Sequence, residues 1–299
     1  MSLSRPRAGV LGHPIAHSKS PALHRAAYQA LGLDIAYDAH DLRPEQLDRF
    51  VGEIRAGQAA RGTDRWVGCS VTMPHKAAMV PQMDQVSERV HLLGVLNTVV
   101  WDRDGTAAGH NTDVDGIVRA LEFAGHDPLQ RGGTLTVVGG GGTAAAAVAA
   151  ARGLGLDAVQ LLLRSPEKAA DLIRLAAQLE LQATAHPLEE LNARAPSSRA
   201  VIVTLPPRAA DPLVAALTPP ASDGVLPPLL DVAYDPWPSA LALAWESHGG
   251  RVVSGLEMLL YQAVEQVRLF TEQLRRGDAE PDWADVTAHM AGAVGLPPR

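Results

Sequence analysis

The feature that most constrains this chain is a run of four glycines, Gly139-Gly140-Gly141-Gly142. They follow a short, continuous apolar run, Thr134–Val138, and lead directly into Thr143–Arg152, which is dominated by alanine. An unbroken apolar run of this length reads as a parallel strand buried on both faces. A strand that turns at once into a helix belongs to an α/β fold. Glycines at such a turn let the backbone approach an anion, and the helix N-terminus offers N–H donors and the positive end of its dipole. The spacing of Gly139, Gly141 and Gly142 is G-x-G-G, short of the full G-x-G-x-x-G of dinucleotide-binding turns. A plain glycine-rich connection is therefore the competing reading.

The alternation continues on both sides of this turn. Downstream, strands are expected at Ala158–Leu163, Gln182–His186, Val201–Leu205, Leu229–Ala233 and Arg251–Ser254, with Ser165-Pro166 opening a helix. Pro206–Pro228 reads as loop with one short helix. Leu256–Leu274 reads as a long amphipathic helix with Leu259, Ala263, Val267, Phe270 and Leu274 on one face. Upstream, Ala8–Leu11 is a short strand, and Ser20-Pro21 gives an N-cap followed by proline at the first helical position. Leu23, Ala27, Ala30 and Leu31 form that helix's apolar stripe, and Gly32 ends it. A strand at Ile35–Ala39 precedes a helix from near Pro44 with Leu47, Phe50, Val51 and Ile54 inward. Trp66–Thr72 is a third strand; Gly94–Trp101 and Thr106–Asn111 flank a turn at Asp102–Gly105. This pattern predicts a largely parallel sheet covered by helices, with a new unit starting near residue 114.

Composition narrows the function classes. The 299 residues are enough for two ordinary domains, and the apolar share of 46% is that of a globular chain. A formal charge of −7 without like-charge runs argues against a nucleic-acid partner. Met1–Gly9 shows no apolar core followed by a cleavage site, and the most apolar stretch, Thr143–Ala151, is too short to span a bilayer. The single cysteine, Cys69, excludes an internal disulfide and fits a reducing cytoplasm, and no Cys/His cluster has zinc spacing. Among 26 basic residues only Lys19, Lys76 and Lys168 are lysines, which draws attention to each.

Three further segments carry chemistry. After the second strand of the glycine unit, an NAD-type site would place a carboxylate against the ribose hydroxyls. The strand ends instead in Leu163-Arg164, with Lys168 four residues on. A guanidinium and an ammonium there suit a 2′-phosphate, and a solvated helix start is the alternative. The segment Ser70-Val71-Thr72-Met73-Pro74-His75-Lys76 follows a strand, where ligands bind in open α/β sheets. Pro74 is expected to start a helix with Lys76 in its first turn, an unfavourable place for a cation unless it is held there for use. Asp113, closing Gly109-His110-Asn111-Thr112-Asp113, is a candidate partner, and a Lys–Asp pair in a cleft can exchange a proton with a substrate oxygen. From spacing alone a surface ion pair is the better explanation of the two residues. Gly12–Ser20 carries Ser18 and Ser20, either a carboxylate cradle or a capped loop. His13, His17 and His75 are assigned no catalytic role.

Together these segments resemble the shikimate dehydrogenase family over nearly the whole chain. The motifs occur in the family's order: G-x-P-I-x-H-S-x-S-P at Gly12–Pro21, V-T-x-P-x-K at Val71–Lys76, Asn97-Thr98, G-x-N-T-D at Gly109–Asp113, then the glycine turn. Asp231-Val232-Ala233-Tyr234-x-Pro236 and Gly255-Leu256-x-Met258-Leu259-x-x-Gln262-Ala263 follow. The resemblance implies an N-terminal α/β substrate domain, residues 1–113 completed by helices in 256–299, and an inserted Rossmann-type dinucleotide-binding domain at 114–255. It implies reversible, NADP-dependent reduction of 3-dehydroshikimate to shikimate, in chorismate and aromatic amino acid biosynthesis. Lys76 and Asp113 would be the catalytic pair. Ser18, Ser20, Thr72, Asn97, Asp113, Tyr234 and Gln262 would bind substrate. Gly139, Gly140, Gly141, Gly142, Thr143, Arg164, Ser165, Lys168, Thr204 and Gly255 would bind NADP. The expected partners are the small-molecule substrate and, as an assembly, a homodimer, without nucleic acid or membrane. The serine pair resembles shikimate-selective members, since quinate users often carry threonine at the second position. Three departures stand out: Ser70-Val71-Thr72 for the usual Asn-Val-Thr, Leu163-Arg164-Ser165 for Asn-Arg-Thr, and Val203-Thr204-Leu205 for Asn-Ala-Thr. The alternatives are an NAD-dependent quinate/shikimate dehydrogenase and a non-catalytic metabolite sensor on the same scaffold.

Overall fold

A computed structural model describes residues 5–59, 65–125, 131–219, 226–275 and 280–298. Residues 1–4 of the N-terminal segment and 220–225 of the Pro206–Pro228 stretch lie outside these. The chain opens with β1 (Arg7–Gly12), α1 (Ser20–Ala30), β2 (Ala36–Asp41), α2 (Leu47–Ala59), β3 (Trp66–Val71), β4 (Gln85–Val86), α3 (Glu88–Leu93), β5 (Thr98–Trp101) and β6 (Ala107–His110). The middle runs through α4 (Asp113–Phe123), β7 (Thr134–Val138), α5 (Gly142–Gly153), β8 (Ala158–Leu163), α6 (Ala170–Gln178) and β9 (Gln182–Pro187). It continues with α7 (Leu191–Arg194), β10 (Ala200–Val203), α8 (Asp211–Val214), β11 (Leu229–Asp231), α9 (Ala240–Ser247) and β12 (Val252–Ser254). Helices α10 (Gly255–Thr271) and α11 (Trp283–Ala293) end it. Two compact units result: residues 1–112 with 262–299, and residues 113–261, so the division falls inside α10.

The first unit is built on the sheet β2-β1-β3-β5-β6-β4. It is mixed rather than largely parallel: β1, β2 and β3 run together, while β5 is antiparallel to both β3 and β6. The four-residue turn Asp102–Gly105 forces the β5–β6 pairing to be antiparallel, because a connection that short can join only antiparallel strands. One apolar cluster joins Leu47, Val51 and Ile54 of α2 to Leu11, Trp66, Cys69 and Val71 of the sheet. The core also holds an aromatic stack in which His24 lies 4.1 Å from Tyr37, nearly parallel, and 5.6 Å from Phe270 of α10. Two elements escape the sequence pattern. β4 is only two exposed residues long, and α3 is signalled by its caps: Ser87 Oγ accepts the Val90 N–H at 3.3 Å and Gly94 closes it at φ +68°. Gly94 thus ends a helix instead of starting a strand.

The second unit is one parallel sheet, β12-β11-β10-β7-β8-β9. The strand order reverses at β7, with β8 and β9 laid down on one side and β10, β11 and β12 on the other. In such sheets the crevice beyond the strand ends at this reversal is the ligand-binding position. Residues Ala144–Ala151 of α5 are all buried, small enough to seat that helix closely within the unit. The core elsewhere is aliphatic around Val138, Leu162, Val201 and Leu229, with the buried Trp245 among them. No helix among the described residues is long and apolar enough to cross a membrane.

Candidate active site

In the first unit, the loop after β1 and the turn after β3 leave neighbouring strand ends. The Thr72 N–H donates to the Leu11 carbonyl at 2.9 Å and the His13 N–H to that of Met73 at 3.0 Å. This brings Ser18, Ser20 and Thr72 to one sheet edge. Ser20 is not the N-cap of α1. Lys19 holds that place with helical backbone angles, so Ser20 is already inside the helix, and the Ser18 Oγ accepts its N–H at 3.3 Å. The Ser20 side chain is buried, on the side of the Tyr37 phenol. Nor does Pro74 start a helix. Residues 73–79 form successive turns, the His75 N–H closing on the Thr72 carbonyl at 3.0 Å. The Lys76 carbonyl accepts the Leu96 N–H at 3.0 Å, so pairing with the segment before β5 replaces helix propagation. Lys76 is half-buried at that turn and is not opposed by a helix dipole. His75 is buried, with Nε2 2.7 Å from the Leu42 carbonyl, and His13 pairs with Asp41; both serve structure.

Asn97 precedes β5 and is buried in a dense polar network. Its Oδ1 accepts the Thr112 backbone N–H at 2.8 Å, and because that group can only donate, the amide orientation is fixed. Asn97 Nδ2 then donates to Thr112 Oγ1 at 3.0 Å and to Gln262 Oε1 at 3.2 Å. Four positions that sequence reasoning did not assign complete the network: Tyr37, Thr98, Gln266 and His24. Ser70, read only as a departure, belongs to it too. Tyr37 OH lies 2.6 Å from Ser70 Oγ, which donates to Gln266 Oε1 at 2.6 Å. Gln266 Nε2 donates to the Asn97 carbonyl and to Thr98 Oγ1, each at 3.0 Å. The one available signal was spacing: Gln262 and Gln266 lie one turn apart on the same helix face. Burial lowers the His24 imidazole to about 3 against the raising effect of its Gln266 bond, and burial pushes the Tyr37 phenol up, so both are neutral.

In the second unit the glycine turn leaves β7 at the reversal of strand order. Gly139 has φ +116°, and a Cβ there would sit 2.5 Å from Thr204 Oγ1, so only glycine fits. Gly141 is exposed with open space where a Cβ would point, and it starts α5 without a side-chain cap. Gly140, Gly142 and Thr143 complete a turn whose backbone is available to an anion. Arg164 and Ser165 follow β8, the strand beside β7, and Lys168 ends a short 3-10 turn, Pro166–Lys168, rather than lying in the first turn of a regular helix. Arg164 and Lys168 are exposed, and neither joins an ion pair among the described residues. Thr204 follows β10 on the other side of β7, its hydroxyl donating to the Val138 carbonyl at 3.1 Å. Gly255 follows β12 and opens α10. These residues therefore share the carboxyl edge of one sheet.

Asp113 opens α4 of this unit and is buried. Tyr234 lies in the loop after β11, its phenol pushed up by burial and by Asp235. That loop is pinned by a residue whose role the motif did not reveal. Asp231 accepts the Ala233 N–H at 3.2 Å and the Ser239 hydroxyl at 2.7 Å, and Ser239 caps α9. Burial raises the Asp231 carboxyl against both bonds.

A parallel sheet with a glycine turn at its reversal point, together with a mixed-sheet unit holding a buried polar network, defines a two-unit α/β protein of the dinucleotide-binding class. Known proteins narrow this. Residues 10–99 match the model of the shikimate dehydrogenase substrate binding domain. The shikimate dehydrogenase (NADP(+)) of Methanothermobacter thermautotrophicus is 35% identical over 269 residues, covering 88% of this chain and 90% of the relative. The crystal structure of Mycobacterium tuberculosis shikimate dehydrogenase superposes with TM-score 0.79 at 37% identity, covering 96% of this chain and 99% of that one. The Thermus thermophilus enzyme in complex with NADP(H) and shikimate gives TM-score 0.75 at 29% identity, covering 96% of this chain and 99% of that one. The chain belongs to the shikimate dehydrogenase family.

Proposed function

We propose that this protein catalyses the reversible, NADP-dependent reduction of 3-dehydroshikimate to shikimate. The observation that carries the reading is the gathering, at one sheet edge of the first unit, of Ser18, Ser20 and Thr72 with the Lys76 turn. Beside it, the orientation of the buried Asn97 amide is fixed by the Thr112 N–H. Bound NADP supplies or accepts the hydride. The chain's residues handle the rest. Lys76 gives its proton to the carbonyl oxygen as the alcohol forms and takes it back in the reverse direction, with Asp113 as its partner. Ser18 and Ser20 hold the carboxylate, and Thr72, Asn97, Tyr234 and Gln262 meet the ring hydroxyls or the carboxylate. Gly139–Thr143, Ser165, Thr204 and Gly255 frame the cofactor, with Arg164 and Lys168 toward its 2′-phosphate. The Ser70 hydroxyl is engaged by Tyr37 and Gln266, which supports a reading in which it offers no partner to quinate's additional hydroxyl. Leaving that group desolvated and unpaired costs about 1–3 kcal/mol, roughly ten- to hundredfold in selectivity.

The test is kcat/KM for shikimate and quinate, each with NADP and NAD, at one pH. Shikimate with NADP should lead. Equal or better quinate use defeats the substrate assignment, equal NAD use defeats the cofactor assignment, and no turnover at all leaves a metabolite sensor. Assembly as a homodimer in the cytoplasm completes the reading. Sedimentation at micromolar concentration checks the assembly, a single monomeric species counting against it.

A further inference from the structure

Gln266 is almost fully buried, and its amide makes four hydrogen bonds to groups of four other residues. The Asn97 carbonyl can only accept, so Nε2 faces Asn97 and Thr98 while Oε1 faces Ser70 at 2.6 Å and His24 Nε2 at 3.2 Å. The consequence travels in one direction. With Gln266 Nε2 donating to Thr98 Oγ1, the Thr98 hydroxyl hydrogen is left to donate to Asn97 Oδ1 at 2.7 Å. That bond and the Thr112 N–H both hold Asn97 Oδ1 inward, so Nδ2 is the end directed at Gln262 Oε1. With its oxygen so occupied, Gln262 has Nε2 as the donor end of its amide. The Thr112 N–H and the Gln266–Thr98 relay thus hold the same polarity in Asn97 and, through it, in Gln262, and Gln266 lies one turn further along α10 than Gln262.

We infer that Gln266 is a positioning residue for the substrate, and that it forms with Ser70 one unit in which a single amide spans the space between β3 and β5. This rests on the reading above, in which Asn97 and Gln262 contact substrate. The pair is mutually exclusive with an amide on β3. Asparagine at position 70 carries its polar atoms further from the backbone than the serine hydroxyl, which already lies at hydrogen-bond contact with Gln266 Oε1. Both amides cannot occupy the same space; either can alone. Truncating position 266 while lengthening position 70 thus moves the amide's origin from α10 to β3 and keeps one amide beside Asn97.

The experiment is a double-mutant cycle on the full chain with Ser70→Asn, Gln266→Ala and the combination, joined by Gln266→Met, which keeps the volume and removes the polar ends. Shikimate KM, kcat and urea unfolding are measured for each. Gln266→Ala and Gln266→Met should raise KM roughly tenfold, the scale of one lost buried bond, with a smaller change in kcat. Ser70→Asn alone should also be impaired, through crowding against Gln266. The combined variant should return to within about threefold of the parent. Additive damage in the combined variant, or a Gln266→Met protein with unchanged KM, overturns the inference. If the parent neither turns over nor binds shikimate, the functional reading fails. The cycle in unfolding then decides the amide exchange by itself, because coupled rather than additive destabilisation is required.

Discussion

In the first unit, buried side chains bond to other buried side chains: Tyr37 to Ser70, Ser70 to Gln266, Gln266 to Thr98, Thr98 to Asn97, Asn97 to Gln262. In the second, the functional edge is made chiefly of backbone. Gly139–Gly142 offer no side chain at all, α5 begins without a side-chain cap, and the helix behind them is buried alanine. The contrast follows from what each unit is proposed to hold. A small ring carrying hydroxyls and a carboxylate is distinguished by the position and direction of single donors and acceptors. A pyrophosphate is recognised by charge and by close approach of N–H groups, for which an empty space is the main requirement. Truncating side chains should therefore injure the first unit, whereas adding them should injure the second.

The largest expected effect tests the first half of this contrast. Lys76→Ala should lower kcat by about two to four orders of magnitude with little change in KM, the usual scale for an acid/base group. A loss confined to KM would make Lys76 a binding group only. Asp113→Asn should resemble it if the two residues act together, and normal turnover would separate them.

The next prediction concerns the network's neutrality. Burial holds His24 unprotonated down to about 3, while the unfolded imidazole takes up a proton near 6.5. Between these values the unfolded chain binds the extra proton, so stability falls as pH drops through this window. The contribution lost reaches roughly 4 kcal/mol by about pH 3.5. In His24→Gln this part of the acid sensitivity should vanish. Urea unfolding of both proteins between about pH 6.5 and 4 reads the difference; parallel pH profiles would mean that His24 titrates normally when folded.

Two glycine variants probe the backbone-built unit. Gly139→Ala combines a positive φ with a clash against Thr204 and should destabilise by about 1–3 kcal/mol. Gly141→Ala meets nothing within 4 Å and has φ −89°, so its stability should stay within about 0.5 kcal/mol of the parent while NADP KM rises several-fold. Equal thermal shifts for the two variants would erase the distinction between a glycine needed by the turn and one needed by the ligand. At Arg164 the expected effect falls on one cofactor only. Arg164→Gln should weaken NADP about tenfold, one lost charge-assisted contact, and leave NAD nearly unchanged. Kinetics with both cofactors decide it, a parallel loss for each pointing to damage at the strand end.

Legibility from sequence differed between the units for local reasons. Strands β7 and β8 have the bounds their apolar runs suggest, Thr134–Val138 and Ala158–Leu163, because a parallel strand buried on both faces leaves no ambiguity of period. In the first unit, local signals were outvoted. The proline in Met73-Pro74 carries a helix-start pattern, yet the Leu96 N–H claims the Lys76 carbonyl and turns form instead. Ser20-Pro21 carries a cap pattern, yet Lys19 adopts helical angles and the helix starts one residue early, taking the Ser20 hydroxyl into the interior beside Tyr37. The capped helix α3 was readable from Ser87 and Gly94, but its six residues are too few for a periodicity.

By itself, then, the sequence determined the alternation of elements, the glycine turn, the cationic strand end and the order of the motifs. Each of these follows from rules that act over a few residues: backbone freedom, apolar period, and dipole. Only the tertiary structure decided that β7 sits where the strand order reverses, and which way the buried amides point. A glutamine's orientation is set by the donors and acceptors that surround it. For Gln266 these are Ser70, His24, Asn97 and Thr98, at least 168 positions away along the chain, where no local pattern extends.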